Sequence, residues 1–348
     1  MNKVNVTKVR VTVVIVSYQS AQLTIDCLRS IQADRHADDI YVQAVVVDNA
    51  SGDAPAIELA VASNAWSNWV TIITAPKNGG FAYGNNLAMQ YAFTHNLVAH
   101  GSLDDSWVDY IHVLNPDTQI RDGAIIELVK FMQLNPKVGI AGSSFENADG
   151  SLWPIAFRFP SLLSELEAGI NIGLISRLLK HWVVAVPMTQ VPQAIDWIAG
   201  ASMMLRRHVV EQLRGFDESY FLYYEETDLC LRAKRAGHAT WYVPASRVMH
   251  IAGQSTKVTE RDAKAKRLPA YWFESRRRYF VTNHGVFHAV LVDIVAIIAN
   301  AFGKLKRLLM GKYQQDTPNL LGDMLKHGAF LPANMRAKAF FSALPPIQ

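Results

Sequence analysis

The 348-residue sequence predicts an α/β protein with a mostly parallel central sheet and a C-terminal helical extension. Three observations predict it. Strand-like apolar runs alternate with helix-like stretches through the first half, which is how βαβ units read. Half of the residues are hydrophobic and only 18% are charged, so a full core can form without disulfides or a structural metal. The charge is also uneven: twelve Lys/Arg between Lys257 and Lys312 face only Glu260, Asp262, Glu274 and Asp293, whereas the whole chain carries a net charge of +4. Such composition excludes a disordered chain and a low-complexity chain. Cys27 and Cys230 make no disulfide framework and fit a reducing, cytoplasmic compartment.

The elements follow in order. Val11–Ser17 is β-branched and reads as a buried first strand, since the apolar run Val13–Val16 is too short for a signal peptide. Leu23–Ile31 is helical, and Val42–Asp48 is the next strand, closed by the turn Asn49 to Asp53. Val70–Thr74 leads into the glycine-rich loop Asn78-Gly79-Gly80 and a helix expected from about Asn85. Tyr110–Leu114 ends in Asn115-Pro116-Asp117-Thr118, Gly123–Asn135 is helical, and Val138–Gly142 closes the series. After a less periodic, proline-containing stretch come a strand (Ala199–Leu205), a helix to Leu213, the acidic run Glu225-Glu226-Thr227-Asp228 opening another helix, and a strand (Ala239–Val243) leading to His250. In the segment from Gly285 to Phe302 and just beyond, Asp293, Asn300, Lys304 and Arg307 share one helical stripe, with Val, Ile and Leu opposite. That pattern suits a helix lying in a membrane interface, or one packed on its own domain, better than a membrane span.

In parallel sheets ligands sit beyond the carboxyl ends of the strands, and here those ends carry Ser17-Tyr18, Asp48-Asn49 and Asp117. Asp117 can hold a divalent cation that bridges a diphosphate, or can simply make a turn. Asp48 can accept from a nucleobase or ribose, or cap a turn. Asn78-Gly79-Gly80 lets backbone approach a ligand, yet lacks the Walker and dinucleotide-binding patterns. Glu225, Glu226 and Asp228 follow an aromatic cluster (Tyr220, Phe221, Tyr223, Tyr224); mutual repulsion and desolvation can ready one as a general base. The plainer role of these acids is to complement the helix dipole, with Asp228 pairing to Arg232. His250 reads as a core histidine or a metal ligand.

Together, V-V-I-V-S-Y, V-V-V-D-N-A-S-G-D, N-G-G-F-A-Y-G-N-N, L-N-P-D-T, W-I-A-G-A-S-M-M-L-R-R, G-F-D-E-S-Y-F-L-Y-Y-E-E-T-D-L-C-L-R and V-M-H resemble the family-two glycosyltransferases, most closely their bacterial rhamnosyltransferase-type branch. The likeness runs from about Val11 to Gly253. It implies a GT-A fold, with residues 1–255 as catalytic domain and 256–348 as a basic helical region that meets an anionic membrane surface. It further implies an inverting transfer from a dTDP- or UDP-linked sugar, rhamnose above all, to a saccharide or polyprenyl-diphosphate-linked acceptor in cell-surface polysaccharide synthesis. By position, Ser17, Tyr18, Asp48, Asn78, Gly79, Asn85, Asn115 and Asp117 would hold the nucleotide sugar. Asp117 and His250 would hold Mg or Mn, Glu226 would be the catalytic base, and Arg158, Trp197 and Glu225 would face the acceptor. Arg276–Arg278 would help bring the enzyme to the cytoplasmic leaflet of the inner membrane.

Two departures stand out. Asn115 replaces the first Asp of the family's D-x-D element, which implies weaker metal binding. Glu226 replaces the usual Asp, so its carboxylate reaches one methylene further. UDP-hexose or UDP-galactofuranose donors, or a catalytically silent nucleotide-sugar-binding scaffold, are the competing readings. A sugar nucleotidyltransferase would want a basic, glycine-rich loop where Ser17-Tyr18-Gln19-Ser20 stands, and no nucleic-acid module accompanies the basic charge.

Overall fold

The computed structural model describes residues 9–35, 40–95, 109–147, 150–250, 266–311, 316–336 and 338–345. Lys257, Arg261, Lys264 and Lys312, which belong to the basic run, lie outside them. The first half follows the expected alternation: β1 (Val9–Ser17), α1 (Ala21–Asp34), β2 (Ile40–Asp48), α2 (Ala54–Ser63), β3 (Val70–Thr74), α3 (Gly80–Thr94), β4 (Tyr110–Leu114), β5 (Thr118–Ile120), α4 (Ala124–Leu134) and β6 (Val138–Glu146). Short pieces follow: β7 (Leu152–Trp153), β8 (Ala156–Phe157), α5 (Leu162–Ile170), α6 (Gly173–Leu178), β9 (Gln193–Ile195) and β10 (Trp197–Ile198). Then come β11 (Ser202–Arg206), α7 (Arg207–Leu213), α8 (Glu225–Arg235), β12 (Ala239–His250), α9 (Ala270–His284), α10 (Val286–Leu309) and α11 (Leu320–His327).

The main sheet runs β3-β2-β1-β4-β11-β6-β12-β5. Strands β1, β2, β3 and β4 are mutually parallel, as are β6 and β12. The predicted strand near Ala199–Leu205 is present as β11, but it runs antiparallel between β4 and β6 and so divides the two parallel blocks. Its residues Met203, Met204 and Leu205 are fully buried. Val13, Val14, Ile15, Val45, Val46 and Val47 are buried without alternation, as expected for strands covered by helices on both faces.

One boundary moves. The helix expected from Asn85 begins five residues earlier, at Gly80, because the glycine-rich loop is itself the helix start and its first turn is held from outside.

The chain after residue 266 packs onto this layered body. Tyr279, Phe280, Ala289, Val292 and Ala329 form one buried cluster with Tyr220 and Leu231, and Leu344 joins the core under the sheet. The arginines Arg276 and Arg278, expected on a membrane-facing surface, are instead buried. Arg276 pairs with Asp293 and Glu165, and Arg278 with Asp217. Each guanidinium faces inward because a carboxylate from a neighbouring segment waits there. Only Arg277 of the three is half-exposed.

Candidate active site

The carboxyl ends of β1, β2 and β4 open into a cleft of about 390 Å³, lined among others by Tyr18, Asn49, Asn78, Asn115, Phe221 and Tyr271. Its floor is a hydrogen-bonded loop pair. Asn49 Nδ2 donates to Asn78 Oδ1 (3.0 Å) and to the Gly80 carbonyl (3.1 Å), and the Gly79 N–H donates back to Asn49 Oδ1 (3.3 Å). Gly80 has φ +87°, its position requires glycine, and a Cβ there would overlap the Phe221 carbonyl oxygen. That carbonyl accepts the Phe81 N–H at 3.0 Å, which fastens the glycine loop to the aromatic segment before α8.

Several expected contacts are turned elsewhere. Ser17 is fully buried, and its hydroxyl donates to Asp53 Oδ2 at 2.6 Å while accepting from Thr24. Asp48 accepts from the Ser51 N–H and hydroxyl and from the Ala54 N–H, so it closes the turn rather than facing the cleft. These bonds hold its carboxyl below the ordinary carboxylate range against the opposing effect of burial. Asn85 is buried inside α3 and donates to the Phe81 carbonyl. Tyr18 is exposed at the rim, available to a flat ring.

Beyond Phe81 lies the acidic pair. Tyr223 and Tyr224 both hold positive φ (70° and 67°), a conformation that costs on the order of 1–3 kcal/mol per residue. This double kink starts α8 abruptly and tucks Glu225 and Glu226 beneath the aromatic segment. Burial, then the neighbouring Glu226, push Glu225 well up. Burial also raises Glu226, to about 6, opposed by backbone N–H groups including that of Gly200. One carboxylate oxygen on each, Oε2, is buried without a hydrogen-bond partner. Gly200 packs between Phe81 and Glu226, which puts the acid next to the cleft wall. Asp228, one turn on, is held by Arg232 at 2.7 Å and stays out of the site.

Asn115 and Asp117 offer oxygen donors of the kind a divalent ion would take together with a diphosphate. Asp117 is 2% exposed just past β4, beside Asn115, which lines the cleft. The register of β12 on β5 sets the backbone of His250 opposite Thr118, next to Asp117; the His250 side chain lies outside the described residues. Carboxylate, amide and imidazole are donors suited to Mg or Mn. Among the described residues no three His, Cys, Asp or Glu side chains converge, so most of an ion's shell would come from phosphate oxygens and water.

The acceptor-side trio separates. Glu225 stays with Glu226, and Trp197 stacks on Phe157 (4.3 Å between ring centroids) with its Nε1–H bonded to the Arg158 carbonyl at 2.9 Å. The Arg158 guanidinium donates to the Val183 carbonyl and lines a different cavity with Asp196, Lys234 and His238. Lys234 lies near the far end of α8 from Glu226, so Arg158 is not brought to the acids. Three cleft residues were given no role from the sequence. Asn49 adjoins the singled-out Asp48, and Phe221 belongs to the noted aromatic cluster, but nothing local marks Tyr271 on α9.

Residues 9–267 match the family described as Glycosyltransferase like family 2. The chain belongs to that family. This glycosyltransferase is 28% identical over 220 residues to the N-acetylglucosaminyl-diphospho-decaprenol L-rhamnosyltransferase of Mycobacterium tuberculosis, covering 62% of this chain and 68% of that one. It is 29% identical over 180 residues to rhamnosyltransferase WbbL of Escherichia coli K12, covering 50% and 61% of the two chains. Among solved structures it resembles the mannosyltransferase PcManGT of Pyrobaculum calidifontis with GDP-Man and Mn2+ (TM-score 0.51, 15% identity, 87% of this chain and 75% of that chain). It also resembles GalNAc-T7 with UDP, GalNAc and Mn2+ (TM-score 0.57, 13% identity, 93% and 55%). The fold of this family 2 glycosyltransferase is therefore GT-A, and it is a sugar-transferring enzyme.

Proposed function

We propose that this enzyme transfers rhamnose from dTDP-rhamnose to a saccharide or polyprenyl-diphosphate-linked saccharide, by a single inverting displacement, in cell-surface polysaccharide synthesis. The observation that carries the reading is the Glu225–Glu226 pair, Glu225 buried and Glu226 partly exposed, beside a cleft of nucleotide size at the strand ends. Rhamnose and a lipid-linked acceptor are favoured by the names of the two rhamnosyltransferase relatives. Cytoplasmic placement is supported by Cys27 and Cys230, both free thiols.

In this reading Tyr18, Asn49, Asn78 and Asn115 bind the nucleotide, while Ser17, Asp48 and Asn85 brace the loops that carry them. Asp117 and His250 would hold Mg or Mn, which when bound would neutralise charge on the departing diphosphate. Glu226 takes the proton from the acceptor hydroxyl as that oxygen attacks the anomeric carbon from the side opposite the leaving group. Glu225, held protonated by its neighbour and by burial, donates a hydrogen bond to the acceptor and keeps a second negative charge away from the incoming oxygen.

The test is a thermal-shift panel with dTDP, UDP, GDP and ADP, each with and without manganese, followed by turnover with dTDP-rhamnose against UDP-galactofuranose. Stabilisation selective for dTDP plus metal, and turnover of the rhamnose donor, are expected. Stabilisation selective for UDP would move the donor to a UDP-hexose or UDP-galactofuranose, and silence with all four would leave a scaffold. Asp117→Ala should remove the manganese-dependent part of the shift without lowering the melting temperature of the free protein by more than a few degrees.

A further inference from the structure

Helix α10 carries its polarity inside out. Its buried side is made of Ala289, Val292, Asp293, Ala296, Ala299 and Gly303. Its outward side presents Phe287, Leu291, Ile294, Ile298, Phe302, Leu305 and Leu309, spaced by three or four residues along one stripe. These are well exposed: Phe287 and Leu309 by 79%, Ile298 by 63%. Lys306 Nζ donates to the Ile170 carbonyl (3.0 Å) and to that of Asn171, which ties the end of α10 to the end of α5, just before α6. There Leu174, Leu178 and Trp182 are likewise exposed. Toward that end of the helix, Lys304 on α10 and Arg177 and Lys180 on and just after α6 are exposed and without an acidic partner among the described residues.

We propose that this face docks in the headgroup boundary of an anionic lipid leaflet, with α10 lying in the plane of the membrane. A wide apolar stripe edged by cations is the complement of acyl chains beneath acidic headgroups. The helix is 24 residues long and apolar enough to cross a membrane, but its inner side forbids that. Asp293 is locked to Arg276 and accepts the Ala329 N–H, and Gly303 lies against the backbone of Gly169. Inserting the helix across a bilayer would pull those groups apart. A symmetric pairing of two copies would set the same cations against each other, which an acidic leaflet does not. The proposal rests on the exposed residues of α10 and of the segment around α6 and is independent of the sugar donor.

Flotation of the full chain with phosphatidylcholine vesicles, with and without phosphatidylglycerol, tests it. The chain should float with the acidic vesicles and much less with the neutral ones. Ile298→Glu combined with Phe302→Glu should lower partitioning about tenfold or more, with an unchanged melting temperature and an unchanged response to nucleotide. Flotation with neither vesicle, or equal flotation of the double variant, would overturn the proposal. So would retention of the chain in cell membranes after alkaline carbonate extraction, the mark of a spanning helix. A lipid-free dimer that the double variant converts to monomer, with no partitioning, would assign the face to a second copy instead.

Discussion

Glu226 is a carboxyl whose surroundings resist ionisation, and two expectations follow at the level of this residue. In the proposed role of base it must be ionised, so the turnover number should fall as pH drops through about 6, following one protonation. Glu226→Gln should retain nucleotide binding and lose transfer by about a hundredfold or more, read from initial rates at saturating donor. The raised value also bears on stability. The folded chain holds this proton more tightly than the unfolded one, so stability is lost as pH climbs from the ordinary glutamate range past about 6. The glutamine variant escapes that loss, and its melting temperature at neutral pH should exceed that of the native chain; a lower value would show that the carboxylate contributes net stability. Reading position from sequence is direct where a carboxylate type at an element's end is itself the signal, as at Asp117 past β4 and Glu226 in the first turn of α8. It is less direct at Ser17 and Asp48, because a side chain's direction is decided by which backbone N–H groups the turn aims at it.

Among the elements, α3 and α9 carry the strongest dependence on single positions. Gly80→Ala would place a methyl against the Phe221 carbonyl in a left-handed conformation, costing about 1–2 kcal/mol for the backbone alone and more for the overlap. Urea unfolding should show that loss, and the nucleotide-induced thermal shift should shrink with it. Arg276→Met removes the cation between Glu165 and Asp293, leaving two buried carboxylates facing each other. Loss of one partner from a buried ion pair costs about 3–5 kcal/mol, so a fall of that size in unfolding free energy is expected. Strand and helix existence was legible along the first half because periodicity reports burial directly. The antiparallel sense of β11 was not, since direction depends on which neighbours a strand meets. The start of α3 was hidden for a related reason: glycines read as loop, and the bonds that turn them into a helix start come from Asn49 and Phe221, distant in sequence.

At the scale of the molecule, the C-terminal region and the nucleotide cleft are one structure. Tyr271 on α9 lines the cleft and lies 5.5 Å from the Phe221 ring and 6.1 Å from the Tyr223 ring. Tyr271→Ala should therefore weaken nucleotide binding about tenfold, measured by titration calorimetry, with little change in melting temperature; unaltered affinity would detach the region from the site. The extension was visible in the sequence as basic and helical, but its inward arginines were not, because charge runs usually stay in water. Another junction lies deeper. Asn86 of α3 donates to Ser342 Oγ across 256 positions, and Glu218 accepts the Ala343 N–H. A ribosome adding about 5–20 residues per second leaves α3 without that partner for tens of seconds. During that interval Asn86 and the slot for Leu344 stay open to chaperones and proteases, so a nascent chain is vulnerable at the helix whose first turn will later line the cleft.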